Sequence, residues 1–205
     1  MKKVIGVTGS IGSGKSYGML IFEKICKEKQ VNAIFLDVDD IRRNILDKEK
    51  INREQLNQKI YNNKNEMKEY KKFINPKIKS ELKEQINKNN GIIFIEWALL
   101  IEDKLYDIVD SIIMFYCQED IQIKRLEKGD LGREKIIQRI KMQLTNEQKI
   151  EKIKHLKKEF FIINSSNNPK YNKYEEILKK EGLYWTDIHF VYLEYLKMVE
   201  EYYGK

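Results

Sequence analysis

The sequence predicts an α/β fold in three layers, with a doubly wound, parallel sheet of five strands covered by helices on both faces. Two observations predict it. Short, continuous apolar runs rich in β-branched residues recur along the chain, and segments with apolar residues at helical spacing separate them. Such an alternation is typical of parallel strands that are buried on both sides of the sheet.

The first part of the chain is predicted to contain two strand and helix pairs. Residues 4–8 form a β-branched run that ends in glycines, and residues 16–27 follow with apolar residues at helical spacing. A second apolar run at residues 33–36 ends at Asp37, and a further helix is predicted to begin near Asp40. The order is therefore strand, tight loop and helix, followed by a second strand and helix.

The middle of the chain is predicted to hold a helical insertion and the rest of the sheet. Residues 51–90 are polar and helical, and Pro76 should bend or restart a helix there. A charged helical stretch at residues 119–158 separates the last two strands. The three further apolar runs predict strands at residues 92–95, 111–116 and 160–163.

A C-terminal extension at residues 170–205 is predicted to form two helices, at residues 171–180 and 187–203, with Thr186 as the N-cap of the second. The second helix carries an aromatic and apolar face. That face is predicted to pack in the core or against a second copy, so a homo-oligomer is a candidate assembly. A stacking surface for bases is the less favoured alternative.

Length and composition predict one globular domain over residues 1–205. Hydrophobic residues make up 41% and charged residues 35% of the 205 residues, with only 10 glycines and 2 prolines. The longest apolar run, residues 92–101, is interrupted by Glu96 and is shorter than the ~20 apolar residues of a membrane-spanning helix. The N-terminal residues show no cleavage-site pattern. A cytoplasmic protein without a membrane partner is therefore expected.

The net charge and the numbers of cysteines and histidines limit which partners and metal sites the sequence can support. The net charge of +7 would suit a polyanionic partner, but lysines and glutamates alternate as on solvated helix faces, so a nucleic-acid partner is not favoured. Cys26 and Cys117 lie far apart, without metal-ligand or redox-motif spacing. With only two histidines, a multi-histidine metal site is excluded. Any bound metal is therefore expected to have oxygen ligands.

The strongest motif is G-S-I-G-S-G-K-S at residues 9–16, which matches G-x-x-x-x-G-K-[ST] between a predicted strand and a predicted helix. Glycines let backbone N–H groups point at phosphate oxygens, and the helix N-terminus adds positive potential. Lys15 can reach the β and γ phosphates, and Ser16 can ligate Mg²⁺. The motif predicts that Mg-ATP or Mg-GTP is bound by Gly12, Ser13, Gly14, Lys15 and Ser16. Tyr17, which directly follows the motif, is a further candidate for nucleotide binding.

Further segments extend this pattern over most of the chain. They are L-D-V-D-D-I at residues 36–41, E-W-A-L-L-I-E at 96–102, Q-I-K-R-L at 122–126, R-I-K-M-Q at 139–143 and I-I-N-S at 162–165. Together with the opening V-I-G-V-T-G-S-I-G-S-G-K-S, they resemble the dephospho-coenzyme A kinases, which phosphorylate the ribose 3′-hydroxyl of dephospho-CoA with ATP. The resemblance implies a P-loop kinase in which residues 51–90 bind the acceptor and residues 119–158 form a lid.

Carboxylates at the ends of two predicted strands are candidates for the site. By the resemblance, Asp39 is the expected catalytic base, with Asp37 free for Mg²⁺ or for structure. The alternative is that Asp39 or Asp40 caps the following helix. Glu96, at the carboxyl end of the third strand, is expected to hold Mg²⁺ through a water. A structural pairing of Glu96 with Lys15 or Ser16 is the alternative, and Glu102 is interpreted as a solvated loop acid.

The lid segment offers three arginines, Arg125, Arg133 and Arg139, because a guanidinium can clamp phosphate oxygens with a planar fork. Arg139 is the expected catalytic arginine, and Arg133 is a candidate to replace the family's second lid arginine, which is Gly129 here. Surface pairing with neighbouring glutamates is the alternative for each arginine. Asn164 is expected to approach adenine, with a turn role as the alternative.

Some positions depart from the family pattern. The family's aspartate after the third strand is Glu96, its proline is Ala98, its histidine before proline is Asn75, and a lid arginine is Gly129. The first hypothesis is an ATP-dependent, Mg²⁺-requiring dephospho-CoA kinase, with Lys15, Asp39 and Arg139 as catalytic residues. Two alternatives stay open: a kinase of this build for a nucleoside, nucleotide or other metabolite, and a nucleotide-binding regulatory protein without transfer.

Overall fold

A computed structural model describes residues 2–28, 30–129, 131–166 and 185–186. In this part of the chain the strands form one parallel sheet in the order β2-β3-β1-β4-β5-β6. The strands are β1 (Lys2–Gly9), β2 (Ala33–Asp37), β3 (Gly91–Glu96), β4 (Ser111–Tyr116), β5 (Glu159–Asn164) and β6 (Trp185–Thr186). The doubly wound parallel sheet is confirmed. The two-residue β6 adds an edge strand that the sequence did not predict.

Helices form most of the connections between the strands. They are α1 (Lys15–Glu28), α2 (Val38–Lys48), α3 (Arg53–Asn62), α4 (Lys64–Lys88), α5 (Glu119–Leu126), α6 (Arg133–Lys141) and α7 (Asn146–Lys154), with a 3-10 turn at Tyr106–Ile108. None of the described helices is both long enough and apolar enough to span a membrane. The predicted helices at residues 171–180 and 187–203, and any oligomer contact they make, lie outside the described residues.

Two helix boundaries differ from the prediction. The helix expected near Asp40 begins at Val38, because the Asp37 side chain accepts a hydrogen bond from the Asp39 N–H (2.7 Å) and acts as the N-cap. The break expected at Pro76 lies instead at Asn63, which caps α4 by accepting from the N–H groups of Asn65 and Glu66. Pro76 lies inside α4, so the proline does not end the helix.

The core consists of one apolar layer on each face of the sheet. On one face, α1 packs Met19 and Phe22 against strand residues that include Phe94, with the Phe22 and Phe94 rings stacked at 5.5 Å. On the other face, α2, α4 and α7 contribute residues that include Leu46, Ile78 and Ile153. Both faces of the central strands are therefore buried, and the three-layer arrangement is confirmed.

Gly18 sets how closely α1 approaches the sheet. A Cβ at this position would lie 2.1 Å from a ring atom of Phe115, which is fully buried in β4. We expect Gly18→Ala to lower the free energy of unfolding by about 1–3 kcal/mol, because a packed core resists an added methyl group. Denaturant titration measures this. Gly129→Ala is the control, since its Cβ would meet only a carbonyl oxygen at 3.6 Å, and an effect below about 0.5 kcal/mol is expected. Equal stability of the two variants would contradict the packing argument.

Candidate active site

The carboxyl ends of the first three strands bring the candidate residues together. The P-loop, residues 9–16, connects β1 to α1. In the strand register, Val7 of β1 pairs with Glu96 of β3, which in turn pairs with Asp37 of β2. Ligands of open α/β sheets bind at this edge. The sheet therefore places two carboxylates beside the phosphate-binding loop.

The P-loop has a backbone that requires glycine. Gly9, Gly12 and Gly14 have φ angles of 141°, 74° and 88°, a region that side chains with a Cβ rarely adopt. At Gly9 a Cβ would also lie 2.3 Å from the carbonyl oxygen of Phe115. The three glycines thus allow the loop to turn sharply against β4, in the conformation that the motif predicted.

Lys15 is buried in the P-loop. The residue is 8% exposed, and its Nζ donates to the carbonyl oxygen of Ser10 at 3.1 Å. Burial lowers the pKa of Lys15 to about 8, although the carboxylates of Glu96, Asp39 and Asp37 act in the opposite direction. An ammonium in such surroundings gains most from a nearby anion.

Ser16 and Glu96 form the polar contact at the edge of the P-loop. The Ser16 hydroxyl donates to Glu96 Oε1 at 2.7 Å. Burial raises the pKa of the Glu96 carboxyl, and the Ser16 hydrogen bond and Lys15 charge only partly offset this. The structural pairing considered for Glu96 is therefore present, with Ser16. Its oxygen atoms also match the ligands that Mg²⁺ prefers.

Asp39 and its neighbours in α2 are engaged in ion pairs. Arg42 Nη2 donates to Asp39 Oδ1 at 2.5 Å, and Arg43 pairs with Asp40. Since Asp37 is the N-cap, the alternative that Asp39 or Asp40 caps the helix is wrong. The side chain of Asp39 is 61% exposed, and Asp39 lines the cleft described next.

A cleft of about 1020 Å³ extends from the P-loop to the helical insertion. Its walls are the P-loop, α2, α3, α4, the loop after β3 and the end of α6. Basic and apolar side chains both line it. Besides Lys15, the basic residues are Arg42, Arg43, Arg53, Lys71, Arg139 and Lys141, and the apolar ones include Leu46, Leu56, Ile60, Ile74 and Ile78. The cleft suits an anionic ligand with an apolar portion.

The three candidate lid arginines have different surroundings. Arg139 lines the cleft, where a phosphate clamp would be needed. Arg133 pairs with Glu127 on the surface, which is the alternative role considered for it. Arg125 donates to the carbonyl oxygens of Gly12 (3.3 Å) and Ser165 (2.5 Å) and to the Ser165 hydroxyl (3.0 Å). Arg125 therefore links the P-loop to the residue after β5 through hydrogen bonds.

Tyr17 and Asn164 lie outside the residues that line the cleft. Tyr17 is 65% exposed on the first turn of α1. Asn164 ends β5, and its side chain accepts from the Ser166 N–H at 2.9 Å, which is the turn role given as the alternative. The expected contacts of both residues with nucleotide stay predictions.

Sequence reasoning missed a buried ion pair between α7 and the loop after β3. Lys149 donates to Glu102 Oε1 at 2.5 Å, with side-chain exposures of 0% and 11%, so the interpretation of Glu102 as a solvated acid is wrong. Lys149 lies among alternating lysines and glutamates, which hid its burial. Gln143 was also given no role, although its side chain accepts from the Ile11 N–H of the P-loop at 2.9 Å.

A parallel sheet with a P-loop after its first strand and a cleft beside that loop is typical of P-loop kinases. A family model described as dephospho-CoA kinase matches residues 27–168 of the chain. The chain belongs to the dephospho-CoA kinase family, as the resemblance of its motifs implied.

Individual relatives agree with this assignment. The dephospho-CoA kinase of Campylobacter jejuni (strain RM1221) is 32% identical over 187 residues, which cover 82% of this chain and 90% of that protein. The dephospho-CoA kinase of Helicobacter pylori (strain ATCC 700392 / 26695) is 28% identical over 193 residues, covering 86% and 95%. Among solved structures, TT1252 from Thermus thermophilus has the same fold, with a TM-score of 0.67 at 18% identity, covering 87% of this chain and 95% of that one.

Proposed function

We propose that the protein transfers the γ-phosphoryl group of ATP to the ribose 3′-hydroxyl of dephospho-CoA, giving CoA and ADP. The observation that carries this proposal is that, in a member of the dephospho-CoA kinase family, Lys15, Ser16 and Asp39 line the same cleft. A nucleotide at the P-loop and an acceptor hydroxyl near Asp39 would thus share this cleft.

The reaction needs positioning and charge stabilisation more than covalent chemistry. The 3′-hydroxyl oxygen forms a bond to the γ-phosphorus while the bond from that phosphorus to the bridging oxygen of ADP breaks. Asp39 accepts the hydroxyl proton, and Lys15 and Arg139 stabilise the negative charge on the transferring group. The Asp39 carboxylate accepts from Arg42, and both residues line the cleft.

Ser16 and Glu96 are the residues that would hold Mg²⁺, Ser16 by its hydroxyl and Glu96 through a water. Their adjacent oxygen atoms support this, since Mg²⁺ takes few protein ligands and keeps waters and substrate phosphates. The bound ion would neutralise charge on the β and γ phosphates.

The two kinds of side chain that line the cleft, basic and apolar, match the two chemical parts of the acceptor. Arg43, Arg53 and Lys71 offer cations to the acceptor's phosphates. The apolar side chains of Leu56, Ile60 and other α3 and α4 residues offer a wall for its aliphatic arm.

A second candidate is a different acceptor for the same transfer. Asn75, Glu96 and Ala98, three of the positions that depart from the family pattern, all line the cleft. A changed lining can change which hydroxyl compound is accepted. A nucleoside, nucleotide or other small metabolite would then replace dephospho-CoA.

The test is ADP release by the purified protein with Mg-ATP and dephospho-CoA, run beside a panel of nucleosides and nucleotides. We expect ADP to form in step with dephospho-CoA consumption, and Lys15→Met to serve as the inactive control. Phosphorylation of a different panel member instead would establish the second candidate. Nucleotide binding without any ADP would overturn both and favour the regulatory alternative.

A further inference from the structure

Lys149 is a buried charged residue that has no role in the proposed reaction. It lies on α7, and its Nζ donates to Glu102 Oε1 at 2.5 Å and to the carbonyl oxygen of Ala98 at 3.0 Å. Both acceptors belong to the loop that follows β3. The ammonium therefore joins α7 to this loop, which itself lines the cleft through Ala98, Leu99 and Glu102.

The same carboxylate also binds the segment between α6 and α7, within the proposed lid. Glu102 Oε1 accepts from the Leu144 N–H at 3.0 Å, and Leu144 connects α6 to α7. The preceding residue, Gln143, accepts from the Ile11 N–H of the P-loop. Residues 143 and 144 are thus fastened to both the P-loop and the loop after β3.

The loop after β3 is tied on its other side to the acceptor-binding insertion. Asp103, whose side chain is 5% exposed, accepts from Lys71 of α4 at 2.8 Å. Lys71 lines the cleft. A continuous set of contacts therefore leads from Lys71 of α4 through Asp103 and Glu102 to Leu144, which follows the C-terminal end of α6.

We infer that Lys149, acting through Glu102, is a positioning residue for phosphoryl transfer. The bridge fixes the end of α6, and Arg139 lies in the last turn of that helix, four residues before Gln143. Holding this end places the guanidinium over the cleft, where the γ-phosphoryl group is to be transferred. The inference rests on the proposed function.

A role in stability alone does not explain the bridge. Burying two charges costs desolvation free energy, and an apolar pair of similar volume is often as stable or more stable. The bridge does offer a fixed direction, because one carboxylate oxygen receives both Lys149 and the Leu144 N–H. Replacing both charged partners should therefore leave a folded protein in which Glu102 no longer binds Lys149 and the Leu144 N–H.

The test compares the double variant Lys149→Met with Glu102→Leu against the unaltered chain. We expect kcat with dephospho-CoA to fall about 10–100-fold, because small misplacements of a positioned group have effects of this size. The Kd of Mg-ATP, from calorimetry, should change less than about threefold, since Lys15 and the P-loop are untouched. Lys149→Arg, which keeps a donor to Glu102, should retain more of kcat than the double variant.

The matched control is the double variant Lys79→Met with Asp107→Asn. This pair, 2.5 Å apart, also joins α4 to the segment after β3, but neither residue lines the cleft. Its kcat should equal that of the unaltered chain.

Glu102→Asp adds a milder variant. It keeps both charges but shortens the side chain that reaches Lys149, and it should lower kcat by a smaller factor.

The outcomes separate the inference from the function it rests on. Absence of ADP from the unaltered chain overturns the proposed function, and the positioning role with it. Normal turnover by the unaltered chain together with unchanged kcat in both Glu102 variants overturns the positioning role alone. A lower unfolding temperature with unchanged kcat does the same, because it assigns the bridge to stability.

Discussion

Lys15→Met is expected to reduce kcat for phosphoryl transfer by about 10²–10³-fold, the usual effect of removing one charge-stabilising group from a transition state. The Lys15 ammonium is buried and held within the P-loop, where few water molecules could replace its charge. Methionine keeps the length of the apolar stem and removes only the ammonium. The measurement is ADP release at saturating ATP and dephospho-CoA, and a variant with more than a tenth of the original kcat would contradict the assignment.

The same variant is expected to be at least as stable as the unaltered chain at neutral pH. Burial lowers the pKa of Lys15 from 10.5 to about 8, which corresponds to about 3 kcal/mol by which folding disfavours the protonated ammonium. Below pH 8 the folded and unfolded chains both carry this proton, so the destabilisation is complete. As the pH rises from 8 to 10.5, the folded chain loses the proton first, and Lys15 destabilises progressively less.

Denaturant titrations of both proteins at several pH values check this sign. The free energy of unfolding of the unaltered chain should rise relative to Lys15→Met between pH 8 and pH 10. Comparing the two proteins at each pH cancels the titration of other groups. A difference that stays constant over this interval would show that the Lys15 pKa is not lowered by burial.

Asp39→Asn is expected to lower kcat by about 10²–10⁴-fold, the range of a general base. Asparagine has nearly the same shape and keeps an oxygen that can accept from Arg42, so the local structure should persist. The Kd of Mg-ATP should not change, because the nucleotide phosphates are held by the P-loop. Steady-state kinetics and calorimetry give the two quantities.

Two neighbouring aspartates supply matched controls for Asp39. Asp40→Asn removes a carboxylate that pairs with Arg43 and does not line the cleft, so kcat should change little. Asp37→Asn removes charge at the end of β2 but retains an N-cap oxygen for the Asp39 N–H. If Asp37→Asn loses kcat while Asp39→Asn keeps it, the base is Asp37.

The sheet could be predicted from sequence because parallel strands buried on both faces leave continuous apolar runs. The predicted strand at residues 111–116 coincides with β4, and the other predicted runs lie within observed strands. The two-residue β6 could not be predicted, because a segment this short shows no period. At the P-loop, local spacing was sufficient because backbone conformation and chemistry reside in the same eight residues.

The less predictable features depend on competition between neighbours. Asp37, Asp39 and Asp40 are all good N-caps, and only the folded backbone shows that Asp37 accepts the first N–H. Likewise, the preference of proline to end a helix was outweighed in α4, where Asn63 provides a capped start. Lys149 could not be distinguished from surface lysines, because its partner Glu102 is 47 residues away in the chain.

The fastening of the P-loop by Arg125 affects when the loop becomes ordered. Its guanidinium, carried by α5, contacts Gly12 on one side and Ser165 on the other, so the glycine-rich loop is constrained once β1, α5 and β5 are in place. Glycines lose more backbone freedom on ordering than other residues. That entropy loss accompanies folding of the chain, and a nucleotide arriving later meets a loop whose conformation is already selected.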